Sequence, residues 1–173
     1  MEWLLMADSM TLAILASVRE KLRQDLPSIE VDLFPDNPAS YRFIHPVGAV
    51  LIGHQGSDYE MTDDTHAIVQ TRKLTFSLTV FGRGVRHDKG AIALLDKVRA
   101  VITGFRPKHC NKIHLVSERY LHQDGGAWQY ELKVRTETQS VEVCQPDTRP
   151  KLVKIHTRQP FDPLNSTLKK KNP

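Results

Sequence analysis

The sequence has few cysteines and no long hydrophobic run. Its 173 residues include two cysteines, Cys110 and Cys144, which excludes a disulfide-rich scaffold and a four-cysteine zinc site. No apolar stretch approaches the roughly 20 residues of a membrane-spanning helix. Residues 1–8 contain an acid where a secretory signal peptide has a basic region. We therefore expect a cytoplasmic protein with no membrane partner.

The sequence also lacks the usual motifs of catalysis. The glycine loop ending at Gly90 is neither a dinucleotide fingerprint nor a P-loop, because His87 replaces the third glycine and Lys89 precedes Gly90. No serine lies in a Gly-x-Ser-x-Gly elbow. The eight histidines are scattered and form no His-Glu-x-x-His pair. We therefore predict a non-enzymatic protein that uses no cofactor.

An acidic segment is the best candidate for a metal site. It contains Asp58, Glu60, Asp63, Asp64 and His66, but it lacks the glycine and the terminal glutamate of a calcium loop. We predict a solvated loop here. The alternatives are a weak divalent-ion site at a subunit contact and an enzyme site assembled between subunits around Asp63, Asp64 and His66.

The positive charge is concentrated at the C-terminal end. The chain has 24 Lys and Arg against 20 Asp and Glu, and residues 149–173 hold seven of the bases and one of the acids. Several prolines interrupt that segment, and it has few large apolar residues to form a core. We predict one domain over residues 1–148 and a basic, proline-containing tail over 149–173, which ends near Lys169, Lys170 and Lys171.

Two segments show the period of an amphipathic helix. Residues 9–26 repeat apolar side chains every three or four positions, with Asp8 or Ser9 as the N-cap. Residues 89–103 form a second such segment, which Asp88 can cap and Gly104 can end. The expected buried stripe of the first helix is Leu12, Leu15, Val18, Leu22 and Leu26.

Alternating apolar and polar residues predict five strands. They cover residues 29–33, 47–52, 66–81, 113–122 and 127–143. Asp124-Gly125-Gly126 predicts a hairpin turn between the last two strands. Trp128 and Tyr130 share a face with apolar residues, which predicts that they lie in the core. The apolar pattern changes parity before Val141, which we interpret as a bulge near Ser140.

This order of elements predicts an α+β fold, helix–strand–strand–strand–helix–strand–strand. Its mainly antiparallel sheet has the two helices packed on one face. The strands 66–81 and 127–143 are long enough to overhang a domain of this size, and overhanging edges can pair with another subunit.

The pattern resembles the tail terminator, or tail-completion, proteins of long-tailed phages, typified by protein U of phage lambda. It is more similar still to a conserved tail protein of Mu-like prophages. Three stretches within residues 10–143 carry the resemblance. They are the helix from Met10 leading into Ile29–Leu33; Val50-Leu51-Ile52-Gly53 with Tyr59, Glu60 and Asp63-Asp64-Thr65 before the strand to Phe81; and the helix 89–103 with Asp124-Gly125-Gly126 and Trp128. The basic tail departs from the family pattern.

The resemblance implies a homo-oligomeric ring, usually a hexamer, that ends the tail tube and contacts the head–tail connector. DNA passes through the lumen of this ring. The resemblance also implies that the protein is cytoplasmic in the bacterial host and, if the phage is active, becomes part of the virion tail. We expect six basic residues to face the lumen or an anion. They are Arg83, Arg86, Lys89, Lys169, Lys170 and Lys171. Expected residues of the subunit-interface strands are Lys73, Thr75, Ser77, Thr79, Lys133 and Arg135.

The alternative hypothesis is a small accessory protein that binds nucleic acid through its basic tail. Such contacts would be nonspecific, because the chain has few aromatic residues among its exposed bases to read or stack on nucleotides.

Overall fold

The computed structural model describes residues 9–37, 41–62 and 67–143. Within them lie two helices and five strands, in the predicted order. The helices are α1 (Met10–Asp25) and α2 (Ala91–Ile102). The strands are β1 (Glu30–Leu33), β2 (Gly48–Tyr59), β3 (Val69–Arg83), β4 (His114–Asp124) and β5 (Ala127–Val141). The predicted division at residues 148 and 149 lies outside the described residues and stays a prediction.

The five strands form one sheet in the order β1-β2-β3-β5-β4. β1 pairs with β2 in parallel, and all other neighbours are antiparallel, which confirms the predicted sheet. β3 and β5 pair along their whole 15-residue length. At about 3.3 Å per residue this ladder is about 46 Å long. We call its end at Gly48, Arg83 and Ala127 the proximal end, and its end at Tyr59, Val69 and Val141 the distal end.

One face of the sheet carries both helices and the main core. The even-numbered apolar side chains of β3 are fully buried there, because residues two apart point to the same face. They pack with the inward stripes of α1 and α2. The core residues of β3 are Leu74, Phe76, Leu78 and Val80. This helix-covered face confirms the predicted α+β arrangement.

The inward stripe of α1 differs from the prediction at its start. Ile14, Val18 and Leu22 are completely buried, whereas Leu12 is 58% exposed. Leu12 lies two residues before Ile14, which places it about 200° around the helix on the outer side. The predicted cap is confirmed, since Ser9 Oγ accepts a hydrogen bond from the Leu12 N–H at 3.4 Å.

Helix α2 begins later than predicted. Its N-cap is Gly90 rather than Asp88, and no side chain caps it. The preceding loop is a tight turn of its own, because the Gly90 N–H donates to the His87 carbonyl at 2.7 Å and the Ala91 N–H donates to the Gly84 carbonyl at 3.0 Å. These bonds satisfy the first helical donors without a capping side chain.

Strand β2 is longer than the sequence pattern indicates. Residues 54–59 were predicted as part of a polar connection, but they continue β2 opposite β3, with Ser57 paired to Leu74 and Tyr59 to Arg72. Backbone pairing needs no apolar side chains, so a polar strand lacks the alternation of apolar and polar residues from which a strand is predicted. The apolar first part of β2 and its polar second part meet at a register shift between His54 and Gly56, where Gly56 has φ +143°.

The bulge predicted near Ser140 is absent. The register between β3 and β5 runs without a shift from Val69–Val141 to Arg83–Ala127, and Ser140 pairs with Gln70. Val141 instead lies exposed on the opposite face. The change of parity therefore reflects an exposed valine on a regular strand.

The opposite face carries neither helix. We call it the helix-free face. At its proximal end Ala49, Leu51 and Phe81 form a small second core. Phe34, Tyr41 and Phe43, from the segment between β1 and β2, pack over it. No helix in the described ranges is long and apolar enough to cross a membrane.

Candidate assembly surfaces

The six residues predicted at subunit-interface strands lie together on the helix-free face. Their alternation on β3 and β5 places them in adjacent rows, where Thr75 pairs with Arg135 and Ser77 with Lys133. Lys73 and Thr79 occupy the same face of β3, two residues to either side of these pairs. Whether this face contacts another subunit stays a prediction.

Strand pairing between subunits through β3 is not available from Arg72 to Gly82, because β3 pairs there with β2 on one side and β5 on the other. β5 pairs with β4 only from Ala127 to Arg135, and its residues 136–141 extend past β4 with β3 on one side. Pairing of this overhang with another subunit stays a prediction. Ser77 and Thr79 are also buried. A Cβ on Gly53 would lie 3.0 Å from the Phe34 ring and 3.1 Å from Ser77 Oγ, so Phe34 and Ser77 both lie against Gly53.

A buried carboxylate lies at the centre of the helix-free face. The side chain of Glu131 is 7% exposed. Its Oε2 accepts from Arg119 Nε at 2.6 Å and its Oε1 accepts from Gln55 Nε2 at 2.9 Å. Lys133 Nζ lies 4.0 Å away. The sequence does not predict this network. Gln55 lies at the bulge of β2, and the sequence pattern does not give the register between β5 and β4, the strand that carries Arg119.

Two ion pairs border the distal end of this face. Lys73 Nζ lies 2.6 Å from Glu60 Oε1, and Arg135 Nη2 lies 3.3 Å from Asp58 Oδ2. The hydrogen bond and charge of Lys73 lower the pKa of Glu60, and those of Glu60 raise the pKa of Lys73. Both acids of the candidate metal site that the structure describes are thus ion-paired.

The rest of that candidate metal site is not described. Asp63, Asp64 and His66 lie outside the described residues. Within residues 9–37, 41–62 and 67–143, no three His, Cys, Asp or Glu side chains come together as a possible metal site.

Exposed apolar side chains are concentrated at the distal end. Arg72, paired with Tyr59, donates to Thr11 Oγ1 at 3.0 Å, so the start of α1 lies at this end too, where Met10 and Leu12 are exposed. We call the apolar residues around the ends of the three strands the distal tip. Its members, all exposed, are Tyr59, Met61, Ile68, Val69 and Val141.

A cleft lies at the proximal end of the helix-free face. Its volume is about 620 Å³, and we call it the proximal cleft. The rings of Tyr41 and Phe43 lie 5.5 and 5.6 Å from the ring of Phe81 on one side. Sequence reasoning treated residues 35–46 as a loop, although the alternating Tyr41, Phe43 signal could have indicated packing. The cleft is lined by Phe34, Tyr41, Arg42, Phe43, Thr79, Phe81, Arg83, Leu121, His122, Asp124, Gly125, Ala127 and Gln129.

Tyr41 is the titratable group most affected by this packing. Burial raises the pKa of Tyr41 to about 12, and the nearby carboxylate of Glu30 adds to the shift. Both effects disfavour the phenolate, because it would be a second negative charge in a poorly hydrated site. The Tyr41 phenol therefore stays protonated well above physiological pH.

Arg83 is placed differently from its predicted companions. Its Nε donates to the His45 carbonyl at 3.1 Å and its Nη2 to the Ile44 carbonyl at 3.3 Å. Its guanidinium carbon lies 4.8 Å from the centroid of Phe43. Arg83 thus holds the segment that covers the cleft. Arg86 and Lys89 are exposed in the turn before α2.

The structure does not bring the predicted basic groups into one site. Arg83 points to the cleft, whereas Arg86 and Lys89 share the turn between β3 and α2. Residues 169–171, which hold the three terminal lysines, lie outside the described residues.

Trp128 and Tyr130 are partly buried rather than central in the core. Tyr130 packs against the main core, and the ring of Tyr120 lies 5.7 Å from Trp128 and 5.5 Å from Tyr130. Tyr120 is exposed on the edge strand β4. The side-chain direction was predicted correctly, but Trp128 and Tyr130 are only partly buried, on the strand next to the exposed edge strand β4.

Comparisons with known proteins give a family and a likeness to solved structures. The family model described as Gp37 protein matches residues 18–158. A comparison with curated proteins gives no match. Among solved structures, a chain of the "Virion of native gene transfer agent (GTA) particle" is similar, with 12% identity and a TM-score of 0.49, covering 78% of this chain and 100% of that one. At these values the likeness gives no information about the function of this chain.

Proposed function

The chain belongs to the Gp37 protein family, and on that premise we propose that it is a non-enzymatic structural protein of a phage or prophage tail. Several copies form a closed ring, in the favoured form a hexamer. The ring ends the tail tube and joins it to the head–tail connector. The order of helices and strands in the structure agrees with the order on which the resemblance to tail terminators rests.

The observation that carries the proposal is the placement of two unlike surfaces on one sheet. The distal tip exposes large apolar side chains, and the proximal end holds an aromatic cleft. Exposed apolar clusters of this kind are typical of protein–protein contacts. A closed ring is built from head-to-tail contacts, in which each subunit supplies two different surfaces.

The proposed partners follow from the same arrangement. The tube protein and the connector contact the two flat sides of the ring. The exposed bases Arg86 and Lys89, with Lys169, Lys170 and Lys171, contribute positive charge that suits nonspecific contact with DNA in the lumen. In this proposal the protein assembles in the host cytoplasm and remains in the virion tail.

The experiment that tests this function is tube assembly in the presence of the purified full chain. The tube protein of the same phage is polymerised with and without it, and the products are imaged by negative-stain electron microscopy. The proposal predicts shorter tubes with added density at one end. Tubes of unchanged length with two bare ends would contradict it. Bovine serum albumin at equal concentration serves as the control for crowding.

A further inference from the structure

We infer that the loop between α2 and β4 binds the phosphate backbone of duplex DNA. We call residues 104–113 the basic loop. It follows the C-terminal end of α2, whereas Arg86 and Lys89 precede the N-terminal end of that helix. The inference rests on the proposed function, which brings DNA to the protein, and it assigns a contact with that DNA to residues outside the set proposed so far.

The segment around the basic loop carries positive charge only. Residues 97–117 include five Lys and Arg and no Asp or Glu, although the chain before residue 149 has more acids than bases. Three of the five bases lie in the loop and are exposed, namely Arg106, Lys108 and Lys112. The positive charge is therefore a local feature of the described residues and not of the domain as a whole.

The three cations of the basic loop are not ion-paired. Within residues 9–37, 41–62 and 67–143, no ion pair includes Arg106, Lys108 or Lys112. By contrast, Arg99 on α2 has its Nη2 2.8 Å from Glu118 Oε2. Because no carboxylate neutralises the three loop cations, their charge is available to a ligand.

Glu137 is an acid that contacts the loop, and it does not cancel this charge. Its Oε2 accepts from Asn111 Nδ2 at 3.5 Å, and its backbone carbonyl accepts from the Asn111 N–H at 2.8 Å. Glu137 is also the cross-strand neighbour of Lys73 in the β3–β5 pairing. One carboxylate against three cations leaves the loop net positive.

The backbone of the basic loop is held in one conformation. Two hydrogen bonds join its ends, between residues 104–105 and Ile113. Two buried hydroxyls of β5, those of Thr136 and Thr138, donate to loop carbonyls at 2.7 Å each. A loop fixed in this way loses little conformational entropy when it binds a ligand.

The turn in the middle of the loop directs the bases into solvent. The Cys110 N–H donates to the Pro107 carbonyl at 3.1 Å, which closes a turn around Lys108 and His109. His109 has φ +61°, a left-handed value found in such turns. Pro107, Cys110 and Ile113 are buried. Because these three side chains occupy the inward side of the loop, the three cations point outward.

The chemistry of the loop favours a phosphate backbone over an acidic protein surface. The apolar side chains within residues 104–113 are buried, apart from half-buried Phe105, whose ring centroid lies 5.9 Å from Lys21 Nζ. Protein–protein interfaces are enriched in aromatic residues and depleted in lysine. Duplex DNA instead presents a negative charge about every 1.7 Å along its axis and is bound mainly through Lys and Arg. A loop that exposes cations without apolar side chains matches DNA.

The test is the salt dependence of binding to a labelled duplex. The loop variant carries Arg106→Gln, Lys108→Gln and Lys112→Gln in the full-length chain. All three side chains are exposed, so the fold should stay intact, which far-UV circular dichroism and thermal melting verify. Loss of three phosphate contacts should reduce the slope of log affinity against log salt by about 2.7. Fluorescence anisotropy over a series of salt concentrations measures this slope.

A matched pair of variants separates the loop from the net charge of the protein. Lys108→Glu and Lys97→Glu each replace an exposed lysine and change the net charge by the same amount. Lys97 lines a small cleft with Asp88, which precedes α2. We expect Lys108→Glu to reduce the slope by at least about 0.9, and Lys97→Glu to leave it unchanged. Equal effects of the two variants would overturn the inference.

Other results would also overturn the inference. A wild-type protein that does not bind the duplex at low salt has no DNA site, and an unchanged slope in the loop variant places the contact elsewhere. Poly-L-glutamate that displaces the labelled duplex as effectively as unlabelled DNA of equal charge would identify an acidic protein as the ligand.

The tube assay distinguishes failure of this inference from failure of the proposed function. Tubes shortened by the wild type, together with an unchanged slope in the loop variant, would leave the proposed function standing while the inference fails. Tubes of unchanged length, together with the expected loss of slope, would leave the DNA contact standing while the proposed function fails.

Discussion

Arg119 Nε lies 2.6 Å from Oε2 of Glu131, and this contact ties the edge strand β4 to a buried carboxylate on the helix-free face. The same carboxylate accepts from Gln55 of the β2 bulge. The side chain of Glu131, on β5, thus connects the edge strand β4 on one side with β2 on the other side, beyond β3. Such a network rigidifies a surface that no helix covers, because a buried charge is stable only in one well-bonded geometry.

Replacing Arg119 should destabilise the protein. Arg119→Ala leaves the Glu131 carboxylate buried with Gln55 as its remaining close donor, and an undersatisfied buried group costs about 1–3 kcal/mol in the free energy of unfolding. Because the Arg119 side chain is 63% exposed, we expect the lower part of this range. Urea unfolding measures it. The double variant Arg119→Ala/Glu131→Gln should recover part of the loss, and a single variant as stable as the wild type would show that the contact contributes nothing.

Gly82 sets how closely α2 approaches the sheet. A Cβ there would lie 2.6 Å from Ala91 Cα and 2.8 Å from Ala91 N, so Gly82→Ala must displace helix backbone. We expect a loss of about 1–3 kcal/mol in the free energy of unfolding, as for overpacked cores. Gly53→Ala is the matched control, because its Cβ would meet mainly the side chains of Phe34 and Ser77, which can move. Equal stabilities for the two variants would contradict this account.

Tyr41 should make stability depend on pH in the alkaline range. Burial and Glu30 raise the pKa of Tyr41 from 10.0 to about 12 in the folded chain. The unfolded chain therefore loses the phenol proton first, and the folded state loses stability as pH rises from about 10 to about 12. Tyr41→Phe removes this term. The difference in unfolding free energy between wild type and variant should be constant below pH 10 and shift towards the variant above it. A pH-independent difference would show that Tyr41 ionises normally.

Local sequence patterns predict the parts of the fold that depend only on residues close to one another in the sequence. The alternation of Leu74, Phe76, Leu78 and Val80 places them on one face whatever the strand pairs with, and the structure buries all four. The helix stripes at Val18 and in α2 follow in the same way. These features depend on period alone.

The features that sequence reasoning missed depend on contacts between distant segments. Residues 54–59 are polar, and only their pairing with β3 makes them a strand. Arg83 carries the positive charge of an anion-binding residue, but its guanidinium donates hydrogen bonds to the carbonyls of Ile44 and His45, some 40 positions away. The proximal cleft exists because Tyr41 and Phe43 pack on Phe81. None of these pairs is visible before the chain path is known.

Salt dependence distinguishes lumen contacts from a protein whose main function is binding nucleic acid. Each phosphate contact adds about 0.9 to the slope of log affinity against log salt on duplex DNA. Arg86→Ala/Lys89→Ala should therefore reduce that slope by about 2, and deleting residues 169–171 should reduce it by up to about 3. Arg83→Ala should leave the slope unchanged, since its guanidinium is bonded within the chain. Fluorescence anisotropy with a labelled duplex measures all three. An unchanged slope in the double variant would exclude these bases from DNA contact.

The mass of the full-length protein in solution tests the ring most directly. Light scattering at two concentrations and two salt levels should give one discrete mass, of about six subunits for a closed ring of unlike surfaces. That mass should not change with concentration once the ring is closed. The mass of a single chain under all four conditions, or a mass that grows without limit as in an open filament, would contradict the account.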